Sequence, residues 1–248
     1  MLRLTPFAIT NHSPLNDDGF SLLEIAVVMF IVSLLLGGLL VSLSSTRELN
    51  NRSDAEAMLH EVVEGLYGFA QATGRLPCPA TATSNGFEAP LGGGACTQQH
   101  GFVPSATLGL SGSLNNDGLL MDDWLNPFRY SITTANANAF TTANGMRNTT
   151  MATLTPDLRV CDAAACGTVI VNSVPVVLLS LGADWADFTA ADIDETENSG
   201  EVTINGYRHA NDNDFVSAAY IEDTFDDLII WISPSILYTR LITAGQLP

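Results

Sequence analysis

The sequence predicts an α+β fold in which a long N-terminal α-helix, transmembrane in its first half, packs on a small antiparallel β-sheet with long loops. Three observations carry this reading. Residues 21–43, SLLEIAVVMFIVSLLLGGLLVSL, form an apolar run of 23 residues holding one charge. Behind it, Leu59, Val62, Val63, Leu66, Phe69 and Ala70 recur at three- and four-residue spacing among Glu56, Glu61 and Glu64, the pattern of an amphipathic helix. From Arg75 onward the chain turns to Gly, Pro, Asn, Thr and Ser with short apolar runs between them, as in a loop-rich β domain.

Each element follows from these patterns. At about 1.5 Å per residue the apolar run makes roughly 35 Å of helix, enough for a hydrocarbon core of about 30 Å. It divides the chain into a leader at 1–19, a membrane half of the helix at 20–43, an amphipathic half at 44–74 and a globular part at 75–248. Gly74 and Pro77 supply the stop, because glycine suits the left-handed C-terminal position and proline cannot continue a helix. Strands are expected at Arg129–Thr133, Val169–Val171, Val176–Leu181, Glu201–Ile204 and Leu228–Ile232, mainly antiparallel because the connections are too short for helical crossovers. Residues 133–155, rich in Thr, Asn and Ala, read as a long loop.

Charge narrows the function. The chain carries 27 acidic and 9 basic residues, a formal net charge of −18, and every basic residue is an arginine. Phosphate binding needs a basic surface, so nucleic acid is not an expected partner. A hard cation suits the balance better. The four cysteines, Cys78, Cys96, Cys161 and Cys166, lie beyond the apolar run, and an even number in an exported region favours disulfides, with three connectivities open. The lone C-x4-C spacing, without a second pair or histidine partners, does not make a zinc site.

Gly19-Phe20-Ser21-Leu22-Leu23-Glu24 places a glycine, a hydrophobic residue and then an acid at the mouth of the apolar run. This resembles the prepilin signal of type IV pilins and type II secretion pseudopilins. The resemblance implies cleavage by prepilin peptidase between Gly19 and Phe20 and methylation of the new Phe20 amino group. It also implies an assembly role for Glu24, whose carboxylate would meet the amino terminus of a neighbouring subunit. A carboxylate inside a membrane helix costs about 2.5 to 3.5 kcal/mol at the centre, and such a pairing offsets it. Where the family leader carries a basic residue near the cut, this chain has Asp17 and Asp18.

Further along, Asp123-Trp124-Leu125-Asn126-Pro127 and Leu179-Ser180-Leu181-Gly182-Ala183-Asp184 are similar to two landmarks of the major pseudopilin, a turn before a strand and the opening of a calcium-binding loop. Leu125 stands where that family has glycine. Segments around Gly74-Arg75-Leu76-Pro77-Cys78-Pro79, Gly101-Phe102-Val103-Pro104 and the tail Ala244-Gly245-Gln246-Leu247-Pro248 look like a wider group of pilin-like proteins. Within this resemblance the preferred pairings are Cys78 with Cys96 and Cys161 with Cys166, each closing a local loop.

The expected function is therefore a structural subunit, a minor pilin or pseudopilin of a type IV pilus-like or type II secretion filament. It would be held single-pass in the inner membrane with its globular part in the periplasm, beside other subunits and an assembly platform. The alternative is a signal-anchored periplasmic domain that binds calcium or is an enzyme. For calcium, an optional cofactor, the expected ligands are Asp184, Asp187, Asp192 and Asp194, in an acidic stretch that also holds Glu195 and Glu197. No EF-hand is present: counted from Asp192, the closing position is Thr203. No enzyme is expected, since His12, His60, His100 and His209 form no H-E-x-x-H pair and neither a G-x-S-x-G elbow nor a Walker loop occurs. Asp226-Asp227 reads as an adjacent pair of solvated or helix-capping acids.

Overall fold

The computed structural model describes residues 21–185, 193–221 and 224–248, with side chains given for all of these except 36–45. The chain divides between Arg47 and Glu48 into two compact units. Helix α1, Leu22–Thr73, is 52 residues long and contributes to both.

In the first unit α1 starts at a capping serine. Ser21 precedes the helix, and its Oγ accepts a hydrogen bond from the Glu24 backbone N–H at 3.2 Å, satisfying one of the donors that the first turn leaves open. Glu24 itself lies in that first turn, exposed, where its charge favours the positive end of the helix. The expected membrane anchor is corrected here. Among the described residues no helix is long and apolar enough to cross a membrane. The sequence by itself reads residues 21–43 as such a span. From Thr46 onward the helix is polar, with Arg47, Glu48, Asn50, Asn51, Arg52 and Asp54 in close succession. The transmembrane half, the single-pass inner-membrane placement and filament assembly through that helix all rested on that span, and are withdrawn with it.

The second unit is α+β. Its main sheet has the order β1–β2–β5–β9, formed by β1 (His100–Phe102), β2 (Arg129–Ile132), β5 (Val176–Ser180) and β9 (Leu228–Ile232), all antiparallel. β5 is internal and buried at every position. Its alternate side chains face two cores, which explains why it reads as an unbroken apolar run rather than an alternating one. Val176 and Leu178 join Leu59, Val62, Leu66 and Ala70 of α1, with Tyr130, Ile132 and Ile232. Val177, Leu179 and the following Leu181 join Leu158, Val160 and Phe215. The apolar stripe on Glu48–Thr73 thus has a sheet face to cover it. Each fully buried leucine there contributes about 1.5 to 3 kcal/mol relative to exposure.

The second core is closed by a smaller sheet, β4–β3–β8, made of β3 (Leu158–Cys161), β4 (Val169–Val174) and β8 (Asp214–Val216). Here β3 and β8 run parallel, unlike the hairpin-connected pairs. A third pair, β6 (Val202–Ile204) and β7 (Tyr207–His209), turns at Asn205 and Gly206, whose φ values of 53° and 86° are those of a primed hairpin turn. The segment read as a long loop is pinned by buried Phe140 and Met146. A C-terminal helix, Pro234–Thr243, starts on proline at its first turn and buries Leu237 and Leu241 against the α1 core.

Helix α1 ends where the glycine signal placed it: Gly74 follows Thr73 with φ of 74°. The turn before β2 closes without a glycine. Leu125 takes the left-handed φ of 64°, while Asp122 Oδ1 accepts from the N–H groups of Trp124 (3.1 Å) and Asn126 (2.8 Å). Disulfides join Cys78 to Cys96 and Cys161 to Cys166, with Cα separations of 5.3 and 5.0 Å. Beside the first of them, Arg75 and Glu88 form a buried bidentate ion pair at 2.7 and 2.6 Å.

Candidate cation site

The resembled S-L-G-A-D segment leaves β5 at its C-terminal end. Gly182 has φ of 63°, and any Cβ there would overlap the Asp226 carboxylate. Only glycine lets the chain pass this close. The next residue, Ala183, donates its backbone N–H to Asp226 Oδ2 at 2.5 Å, and Asp184 follows. From the other side comes the short helix Ile193–Ser199, whose first turn carries Asp194 and Glu195. Glu195 is fully buried, and its Oε1 accepts the Asp226 backbone N–H at 3.0 Å. Asp226 stands just before β9, so its position is set by the main sheet.

Carboxylate oxygens of Asp184, Glu195 and Asp226 lie within 4.8 Å of one another. They could hold a divalent ion. Asp226 is only 7 % exposed, and its Oδ1 has no hydrogen-bond partner among the described residues. Arg52, which reaches this residue, donates to its backbone carbonyl (3.2 Å) and not to the carboxylate. Burial, with the charges of Asp184 and Glu48 adding to it, pushes Asp226 up to about 6 against the opposing hydrogen bond from Ala183. The neighbouring Asp227, 3 % exposed, is raised well above the usual carboxylate range by burial and by Glu195, Asp226 and Asp184, although Asn198 Nδ2 donates to its Oδ2 at 2.6 Å. Several acids thus meet in a poorly solvated place, an arrangement a bound cation would relieve.

The donor set is all carboxylate oxygen, without nitrogen or sulfur, which suits a hard cation and not zinc or copper. Across a calcium ion, opposite oxygens stand about 4.6 to 5.2 Å apart, and the 4.8 Å limit of the cluster fits inside that sphere.

Of the four ligands expected from the sequence, Asp184 is in the cluster. Asp194 is not: its Oδ1 accepts the Ala164 N–H at 2.7 Å, facing away to the β3–β4 connection. Asp187 and Asp192, like Gly19 and Phe20, lie outside the described residues. Glu195 and Asp226 were not singled out as ligands, and the reading of Asp226-Asp227 as solvated acids is corrected, since both are buried. A signal for Asp226 did exist in the sequence. An acidic pair directly before the apolar strand Leu228–Ile232 sits where the chain enters the core, and a buried acid there needs a partner.

A model of the prokaryotic N-terminal methylation motif matches residues 15–40. No curated protein and no solved structure matches the chain.

Proposed function

We propose that this chain is a calcium-binding protein that carries an N-terminal methylation signal, with Asp184, Glu195 and Asp226 as the carboxylate ligands of the ion. The observation that carries the reading is the Asp226 carboxylate, buried beside two other acids with one oxygen lacking a hydrogen-bond partner among the described residues. The strongly acidic composition is consistent with it. Calcium would neutralise the cluster and tie the Gly182–Trp185 segment to the Ile193–Ser199 helix and the start of β9. Its role here is to order loops, with backbone carbonyls and water completing the six to eight oxygens that the ion takes.

Binding to the folded state alone raises stability by about 2.7 kcal/mol when calcium is at 100 times its dissociation constant. Thermal unfolding of the full chain should therefore move up by several degrees on adding millimolar calcium and return on adding chelator. An unchanged melting temperature in both would overturn the reading.

At the other end, the motif match supports Phe20 as the methylated residue after cleavage at Gly19, with prepilin peptidase as the enzyme responsible. Mass spectrometry of the N-terminal peptide of protein recovered from its own cells should find N-methylated Phe20. A chain still beginning at Met1 would sink this assignment and leave the calcium reading untouched.

A further inference from the structure

A second opening lies beyond the cation cluster, on the face of the main sheet near the β6–β7 hairpin. It is a cavity of about 260 Å³, lined by Leu181, Trp185, Ser199, Thr203, Arg129 and Arg208 among others. Two of the nine basic residues of a chain with net charge −18 therefore border one hollow.

Arg129 is the unusual member. It sits on β2 and is 6 % exposed, an arginine buried with no carboxylate in salt-bridge contact among the described residues. Its Nη1 donates to the Arg208 backbone carbonyl at 2.8 Å, and its guanidinium lies over the rings of Phe102 (4.8 Å) and Tyr207 (5.8 Å). Nε is buried with no hydrogen-bond partner among the described residues. Burial lowers its pKa to about 10, leaving it charged at neutral pH. A buried guanidinium facing aromatic rings and a cavity, rather than an acid, is costly unless an anion completes its surroundings. Elsewhere in this chain Arg75, Arg159 and Arg240 each meet a carboxylate.

The lining indicates which anion. A guanidinium matches the planar geometry of a carboxylate through paired N–H donors. The hydroxyls of Ser199 and Thr203 border the same space, and Leu181 with the Trp185 ring gives it an apolar wall. The strong negative charge of the whole chain penalises a dianionic phosphate more than a singly charged acid. We propose that this cavity binds a monocarboxylate bearing an apolar group, with Arg129 and Arg208 on the carboxylate and Trp185 and Leu181 on the apolar part. Both a free small acid and the C-terminal residue of a peptide have this chemistry.

The test is calorimetric titration of the full chain in chelator, so that it does not depend on the cation site. The probes are 3-phenylpropionate and an N-acetylated tripeptide ending in phenylalanine, each paired with its primary amide, and inorganic phosphate. At least one acid should bind saturably and its amide about tenfold or more weakly. The better acid of the two identifies the source. Arg208→Gln, at an exposed position on the hairpin, should weaken that binding about tenfold, read on protein shown by its thermal unfolding to be folded at the titration temperature. Arg129→Gln should abolish it, and because that side chain is buried the Arg208 variant is the decisive one. Absence of binding by both acids, equal binding of acid and amide, tighter binding of phosphate, or an Arg208→Gln protein with full affinity would each overturn the proposal.

Discussion

Replacing Glu88 with alanine should lower the unfolding free energy by about 3 to 5 kcal/mol, because it leaves a buried guanidinium without its counter-charge. Glu88 is 5 % exposed and Arg75 7 %. The glutamate does more than pair with Arg75. Its Oε2 also accepts the Cys78 N–H and its Oε1 the Gly92 N–H, both at 3.1 Å, so one carboxylate ties the end of α1 to the Cys78–Cys96 loop. Burial pushes this carboxyl up, but the hydrogen bonds from Arg75, Cys78 and Gly92 together with the Arg75 charge outweigh it and hold it below the usual glutamate range. The sign of the pH effect follows: the contribution is present above the ordinary glutamate pKa and is lost as pH falls through the lower folded value. Urea unfolding of the full chain at neutral pH, with disulfides intact, measures the loss. A change below about 1 kcal/mol would mean that water or a rearranged side chain replaces the carboxylate. Exchanging both partners for apolar residues of similar size should recover much of the loss, since the cost lies in the orphaned charge and not in the absence of the pair.

Gly182→Ala should remove the calcium response and destabilise the chain at the same time. The residue holds φ of 63°, which costs alanine about 1 to 2 kcal/mol. The added methyl would also occupy the space of the Asp226 carboxylate, which must then move away from Ala183 and from the cluster. The expected readings are a lower melting temperature in chelator and no upward shift when calcium is added. Asp226→Asn separates the two effects. It removes a ligand without touching the backbone, so it should abolish the shift while leaving the calcium-free protein as stable as before or more so, because a crowded buried charge has gone. A Gly182→Ala chain with a full calcium shift would show that the ion, if bound, sits elsewhere.

Local patterns legible in the sequence recur in the structure where the signal was local. The stop of α1 needed only Gly74 and Pro77. The strands Val176–Ser180 and Leu228–Ile232 are runs of β-branched and apolar residues, the first buried at every position and the second at both ends. The strands His100–Phe102, Leu158–Cys161, Tyr207–His209 and Asp214–Val216 escaped notice because each is three or four residues long, too short to show a period, and lacks the β-branched run that marked the equally short Val202–Ile204. The β6–β7 hairpin was nonetheless announced by Asn205-Gly206, the strongest short-range hairpin signal there is. The C-terminal helix was announced by Pro234 behind Ser233.

The cation cluster was only half legible, for a physical reason. Density of acids along the chain marks a segment, and Asp184 stood in it. A coordination sphere, however, is filled by oxygens that are close in space, and the sheet brings Asp226 from 42 positions away, while Asp194, ten positions on, is spent capping another loop. Arg129 gives the same lesson, since nothing in RYSI says that its guanidinium is buried against two aromatic rings with no carboxylate in salt-bridge contact among the described residues.

By itself the sequence determined the acidic character of this protein, its N-terminal methylation motif, the end of its first helix and three of the four strands of its main sheet. These depend on composition and on neighbours within a few residues. Only the tertiary structure decided which acids converge and which arginine is left facing a cavity. Such properties depend on burial and through-space distance, and the chain acquires them only once its remote segments are packed together.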